Sequence, residues 1–261
     1  MIPRAYITTW RANARWQLNE QIEQDLVISR ALVEIFSDDD LKKNLAFRGG
    51  TALHKLFLKT PLRYSEDIDL VQIKSEPIGK SIDRLREKLE YLGKPRVNQK
   101  EFNNTIVFRY DSEIPPVVSM KLKIEINCRE HFAVYGHQKI PFSVSSRWFS
   151  GSCDIVTFKT EELLATKLRA LYQRKKGRDL FDLYFALKEA KANPKAIVEG
   201  FRKYMEHEGN SVSRKEYLQN MEEKLEEDEF VNDIKNLITP KTQFHIGKAW
   251  EMVKSELIEL L

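Results

Sequence analysis

The sequence predicts an α+β protein whose second part is all helical. Three observations carry this prediction. Residues 104–110 and 119–127 alternate apolar and polar side chains with the two-residue period of a strand. Residues 17–36 and 81–91 repeat their apolar positions with the period of a helix instead. Beyond Lys159 only helical patterns remain. We therefore expect an α+β domain over 1–158 and a helical domain over 159–261 that completes the active site.

The elements follow in order. In 17–36, Leu26, Val27, Ala31, Leu32 and Ile35 fall on one side of a helix, which 38–40 should end. Residues 44–47 read as a short buried strand entering Gly49-Gly50. A helix over 51–58, with Thr51 near its N-cap, should be broken by Pro61. Ile68, Leu70 and Ile73 suggest a strand, and Gly93-Lys94-Pro95 stops the helix of 81–91. The alternating strands at 104–110 and 119–127 are joined by a turn at Pro115-Pro116, and 140–146 and 154–158 are two further short strands. The helices after 159 should break at Gly177, around Pro194, near Gly209 and at Pro240.

With 261 residues, 42% hydrophobic and 31% charged, the chain is long enough for one large domain or two small ones, and its composition is that of a globular protein. A net charge of +4 does not itself call for nucleic acid. The distribution is more telling: basic residues crowd 159–178, whereas 222–229 is strongly acidic. Cys128 and Cys153 belong to no zinc-like spacing, and so few cysteines suit a reducing cytoplasm. The first residues lack the apolar core of a signal peptide, and no apolar run approaches the ~20 residues of a membrane span. We expect a cytoplasmic protein with no membrane partner.

The stretch from Arg48 to Leu70 places a double glycine close before Asp67 and Asp69. Gly49-Gly50 has two readings. It is a turn that needs positive φ, or a cradle whose backbone N–H groups approach a phosphate. In a strand Asp67 and Asp69 share a face, where two carboxylates repel. A solvated strand face is one explanation. A divalent cation relieving the repulsion is the other, and hard oxygen ligands select Mg²⁺ or Mn²⁺. Glu125 points away from the apolar face of Leu122, Ile124 and Ile126. It is either a solvated side chain or the third metal carboxylate, if its strand neighbours that of Asp67 and Asp69.

Here the residues resemble a known family. The order Gly-Gly-Thr, spacer, Asp-x-Asp and a later strand carboxylate resembles the polymerase-beta-like nucleotidyltransferases. The fuller string FRGGTAL…LRYSEDIDL is similar to the AbiEii/AbiGii-type (MenT-like) nucleotidyltransferase toxins. A second block, TEELLATKLRALYQRKKGRDLFDLYFAL, extends the resemblance to residue 187. In that block Lys167 lies on the apolar face of Leu164, Leu168 and Leu171, and Arg169 and Arg174 point elsewhere. It either snorkels or is a buried cation aimed at a phosphate. Asp179, near a helix N-terminus, suits the helix dipole.

The resemblance implies a nucleotidyltransferase-like mixed sheet with flanking helices. It implies transfer of a nucleotidyl group from an NTP, with Mg²⁺ or Mn²⁺, to an acceptor hydroxyl of RNA such as tRNA. Asp67 and Asp69, with Glu125, would hold metal; Gly49, Gly50 and Thr51 would seat the triphosphate, and Arg63 and Ser65 would touch it. Lys167 would contact nucleotide phosphate, Asp179 would serve the catalytic site, and Asp182 is close to the same pattern. Arg174, Lys175, Lys176 and Arg178 are a candidate RNA track, or a solvated loop. The family further implies the toxin of a toxin–antitoxin or abortive-infection system, with a cognate antitoxin as partner. A small-molecule nucleotidyltransferase and a non-catalytic nucleotide-binding module are the alternatives.

Overall fold

The computed structural model describes residues 2–14, 16–58, 62–239 and 242–261, so the breaks expected at Pro61 and Pro240 lie outside the described residues. The chain forms two compact units. The first comprises residues 1–52, 64–132 and 137–158, and the second 53–63, 133–136 and 159–261. The helical unit thus draws in two earlier stretches. Glu162 shows why for one of them: its carboxylate accepts hydrogen bonds from the backbone N–H of Val134 (2.7 Å) and Tyr135 (3.0 Å) and from the Tyr204 hydroxyl (2.8 Å).

The first unit contains α1 (Arg4–Trp10), α2 (Asn19–Phe36), α3 (Asp39–Asn44), β1 (Leu45–Arg48), α4 (Gly49–Ala52) and β2 (Asp67–Gln72). These are followed by α5 (Gly79–Lys88), β3 (Arg96–Asn98), β4 (Asn103–Asp111), β5 (Ser119–Asn127), β6 (His137–Ser145) and β7 (Ser150–Phe158). Seven strands make one mixed sheet in the order β3-β4-β5-β2-β1-β7-β6. β2 runs parallel to β5, and β1 parallel to β7; the other neighbours are antiparallel. The mixed sheet and flanking helices are the architecture the sequence predicts.

α2 buries Leu26, Val27, Ala31, Leu32 and Ile35, its foreseen apolar side. The acidic stretch 38–40 does more than end it. Asp38 Oδ1 accepts from the N–H of Asp40 and Leu41 and so N-caps α3. The helix expected over 51–58 begins earlier, at Gly49, and passes into a π-helical turn over Leu53–Phe57.

The second unit contains α6 (Thr160–Gln173), α7 (Gly177–Glu189), α8 (Pro194–His207), α9 (Arg214–Leu225), α10 (Asp228–Asn232) and α11 (Ile246–Glu256). Its core joins Leu164, Leu168 and Leu171 of α6 to Leu180 and Leu183 of α7, Phe201 of α8, Met221 of α9 and Trp250 of α11. The break expected at Gly177 is present: α6 ends at Gln173 and α7 begins at Gly177. A Cβ there would lie 2.2 Å from the Phe230 carbonyl oxygen, so only glycine lets α10 approach. No helix among the described residues is long and apolar enough to cross a membrane.

Candidate active site

The first constellation lies on the sheet of the first unit. β2 places Asp67 and Asp69 on one face, because alternate residues of a strand share a face. β5 lies beside it in parallel register, with Asp67 opposite Lys123 and Asp69 opposite Glu125. The neighbouring residues Ile68, Leu70, Leu122, Ile124 and Ile126 are buried on the opposite face, which fixes this register: a one-residue slip would put the carboxylates in the core.

Gly49 closes the site from the β1 side. Its φ is +81°, and a Cβ on it would fall 2.1 Å from Asp69 Oδ2. The glycine therefore brings backbone directly against a carboxylate. Thr51 fastens this turn to the aspartate strand: its hydroxyl donates to the Asp67 carbonyl oxygen (2.6 Å) and lies 2.7 Å from Ser65 Oγ. Thr51 and Ser65, both expected at the triphosphate, thus also have a part within the protein. Their hydroxyls tie the turn to β2 and are engaged with each other.

A divalent cation can be tested against these residues. Asp67 Oδ1 is buried and has no hydrogen-bond partner, the state of an oxygen reserved for a ligand. The donors are hard carboxylate oxygens, as Mg²⁺ and Mn²⁺ require. Asp67 and Asp69 fit such an ion. The complete three-carboxylate cage does not stand ready: among the described residues no group of three His, Cys, Asp or Glu is arranged to hold a metal. The physical reason is Lys123. Its ammonium lies 3.0 Å from Asp67 Oδ2 and 3.1 Å from Glu125 Oε1. Burial would lower the pKa of this lysine, but Asp67 and Glu125 outweigh burial and push it up to about 12. The repulsion that called for a metal is thus already eased by an internal cation. Sequence alternation places Lys123 on the Glu125 side of β5, but only the strand pairing reveals that it faces Asp67.

The second constellation is a buried ionic cluster within the helical unit. Lys167 on α6 is 7% exposed, and Asp179 and Asp182 on α7 are fully buried. The lysine Nζ lies 3.0 Å from Asp179 Oδ1 and 3.0 Å from Asp182 Oδ2. Lys167 therefore does point inward, and what it meets within its own unit is a pair of aspartates. Arg174 does not point elsewhere: its Nε and Nη2 donate to Asp179 at 2.6 and 2.8 Å. Arg63, expected at the nucleotide, is itself buried and grips Asp182 through Nε and Nη2, both at 2.7 Å. The Nε–Nη2 edge of its guanidinium is thereby committed to a carboxylate.

Electrostatics follow from this packing. Burial alone would raise both carboxyls. For Asp182, Arg63 and Lys167 overcome it and hold the group well below the usual carboxylate range. Lys167 and Arg174 likewise lower Asp179. His54 Nε2 lies 2.9 Å from Asp182 Oδ1, and burial lowers the His54 pKa despite that neighbour. The neutral ring then donates from Nε2, while Nδ1 has no partner. His54 and Lys123 are the residues that sequence reasoning did not single out.

The basic run is also spoken for. Lys175 pairs with Glu227 (2.5 Å), Lys176 with Glu229 (2.9 Å), and Arg178 with Asp233 through Nε and Nη2 (2.9 and 2.8 Å). With Arg174 on Asp179, all four cations of the expected RNA track face carboxylates, two of them from the acidic stretch of 222–229.

A sequence profile described as "Nucleotidyl transferase AbiEii toxin, Type IV TA system" matches residues 30–253. The chain belongs to the AbiEii nucleotidyltransferase toxin family. Solved structures share the fold of this AbiEii-family chain. MenT4, a nucleotidyltransferase toxin from Mycobacterium tuberculosis H37Rv, superposes with a TM-score of 0.65 at 16% identity, covering 100% of this chain and 90% of its own. A proposed nucleotidyltransferase from H. pylori superposes with a TM-score of 0.54 at 19% identity, covering 94% of this chain and 99% of its own. At these identities the likeness is one of fold. No curated protein sequence matches the chain. The AbiEii-family protein is accordingly a nucleotidyltransferase and a toxin of the type IV toxin–antitoxin class, which implies an antitoxin partner and an NTP substrate.

Proposed function

We propose that the protein transfers a nucleotidyl group from an NTP to a hydroxyl of an RNA acceptor, tRNA being the class the family resemblance implies, through the carboxylates of β2. One observation carries the reading: Asp67 and Asp69 share a sheet face, Glu125 stands opposite Asp69, and the Gly49 backbone is pressed against Asp69. Asp67 Oδ1 and the Asp69 carboxylate would hold Mg²⁺ or Mn²⁺, with Glu125 joining when Lys123 releases it. Bound there, the ion would neutralise charge on the triphosphate and its leaving pyrophosphate, and would make the acceptor hydroxyl a better nucleophile. The Gly49-Gly50 backbone, free of side chains, lets phosphate approach. Thr51 and Ser65 keep that turn in place. In the transfer, the acceptor oxygen bonds to the α-phosphorus, the bond from that phosphorus to the bridging oxygen breaks, and pyrophosphate and the hydroxyl proton leave.

A small-molecule acceptor is the second reading. The pairing of Arg174, Lys175, Lys176 and Arg178 with carboxylates supports it, because those cations already have partners. Incubation with each labelled NTP, total cellular RNA and an RNA-free metabolite extract separates the two. Label should enter RNA with wild type, and should vanish with Asp67→Asn and with Asp69→Asn. Transfer to metabolites alone would replace the RNA acceptor, and transfer that survives Asp69→Asn would remove the site.

A further inference from the structure

The strand register sorts the face of Asp67 and Asp69 into rows. Across β3, β4, β5, β2 and β1, one row reads Asn98, Thr105, Glu125, Asp69 and Arg48. The next reads Arg96, Val107, Lys123 and Asp67. Beyond it, Arg109 stands opposite Lys121. Register partners share a face, as do residues two apart on one strand, so all of these lie on one side of the sheet. The other side carries Ile106, Phe108, Leu122 and Ile124, all buried. The row face is the open one there: Arg96, Arg109 and Lys121 are exposed.

Arg109 and Lys121 pose the same question as the paired aspartates. Like charges directly opposite on a sheet repel and destabilise it. Among the described residues no carboxylate lies within ion-pairing distance of Arg96, Arg109 or Lys121. A cleft of about 440 Å³ in the first unit includes Arg109 and Lys121 in its lining, with Gln24, Glu66 and Ser119. Glu66 and also Glu20 line it, and neither reaches the two cations. The contrast with 174–178 is direct: there every cation is matched by an acid, and here three exposed cations are left beside the aspartates. Two residues along a strand span about 7 Å, so Lys121 begins one such step from Lys123, the neighbour of Asp67.

We infer that Arg96, Arg109 and Lys121 on this sheet face carry the phosphate backbone of the acceptor nucleic acid toward Asp67 and Asp69. The inference rests on the RNA-acceptor reading above. A polyanion with regularly spaced phosphates satisfies several exposed cations without demanding a shaped pocket. Arginine adds a planar fork that grips phosphate in a bidentate way. The position of the row beside the carboxylates assigns the backbone to the molecule that must present a hydroxyl there, and this favours nucleic acid over an acidic protein.

The experiment measures binding of unfractionated tRNA to the full chain over a series of salt concentrations. The variants are Arg109→Gln/Lys121→Gln, Arg96→Gln and, for comparison, Lys175→Gln/Lys176→Gln. The first double variant should lose at least about tenfold in affinity at low salt, and its slope of log K against log salt should shrink by about 0.7–0.9 per lost phosphate contact. Arg96→Gln should lose about one contact, and Lys175→Gln/Lys176→Gln should keep the wild-type slope. The thermal midpoint of Arg109→Gln/Lys121→Gln should not fall, because a like-charge pair is relieved, so weaker binding cannot be laid to unfolding. An unchanged slope in that variant overturns the inference while leaving the RNA reading standing, provided label still enters RNA. Competition by polyglutamate as effective as by tRNA would assign the face to an acidic protein. Absence of tRNA binding by wild type, with label passing to metabolites, would remove the RNA reading and the inference together.

Discussion

Gly49 and Asp69 are packed so closely that a single added methyl on the glycine would stand 2.1 Å from the aspartate Oδ2. The glycine turn and the carboxylate pair, seventeen to twenty residues apart in the usual way of reading a sequence as motifs, are one object. Gly49→Ala should therefore do two things. Positive φ alone costs about 1 kcal/mol with a side chain. The clash must also displace Asp69. Gly209→Ala, at φ +74° with nothing within 4 Å of its Cβ, supplies the backbone cost alone. Urea unfolding should show Gly49→Ala as the more destabilised, and nucleotide transfer should fall at least tenfold, about 1.4 kcal/mol, only in that variant. Equal effects on stability and no effect on transfer would mean the contact is incidental.

Lys123 bridges Asp67 and Glu125, so it should compete with a divalent cation for the same oxygens. In Lys123→Met, Mn²⁺ affinity without nucleotide should rise by about tenfold or more, measured by the spectroscopic signal of free Mn²⁺. Without metal, the same variant should unfold at a lower temperature than wild type, because its carboxylates are left to repel. Affinity that stays the same would show that the lysine leaves the site at no cost.

Asp182 faces Arg63, Lys167 and His54 with no exposure of its own. Asp182→Ala should cost roughly 3–5 kcal/mol, the range for breaking a buried ion pair and leaving its partners uncompensated. Lys167→Met should cost less, because Arg63 still serves Asp182 and Arg174 still serves Asp179. The pH dependence follows from the lowered carboxyls. A carboxylate with a folded pKa below its ordinary value of 3.8 adds stability that is complete above that value and is lost as pH falls toward the folded pKa. Unfolding followed from about pH 5 down to about pH 2, through and below that ordinary value, should show this acid loss in wild type and a shallower one in Asp182→Asn.

Glu23 is buried in α2, with Oε1 lacking a partner, and burial pushes its carboxyl up to about 7 from 4.5. The sign is the reverse of Asp182. Between those two values the folded state holds a proton that the unfolded state has released, so stability is lost as pH rises through that window. Glu23→Gln removes the loss. Its melting temperature should exceed that of wild type by a few degrees at about pH 8 and match it near pH 4, read by calorimetry. A constant difference at both values would place the effect in packing.

Much of this molecule was written in local pattern. The alternation of 119–127 gives β5 and its outward Glu125, and the periodicity of 17–36 gives α2, because burial of an apolar face depends only on residues a few positions apart. The Gly-Gly-Thr and Asp-x-Asp strings sufficed to indicate the family. Short elements are not legible: α1, α3 and β3 are too brief to show a period, and α3 depends on the cap at Asp38, a residue whose sequence context marks only the end of α2.

What only tertiary structure decided is the partner of each charge. Sequence shows Arg63, Arg174 and Lys175 as cations but not that they meet Asp182, Asp179 and Glu227, which lie 119, 5 and 52 positions away. It shows Lys121, Lys123 and Arg109 as ordinary polar positions of strands, but not that the first opposes the last while the middle one faces Asp67. The reason is physical. Side-chain direction follows from backbone periodicity and is local, whereas ion pairing requires atoms within about 4 Å and so depends on strand register and helix packing. The sequence determined which face each charge would take, and the fold determined whether that charge met an acid, a base or open solvent.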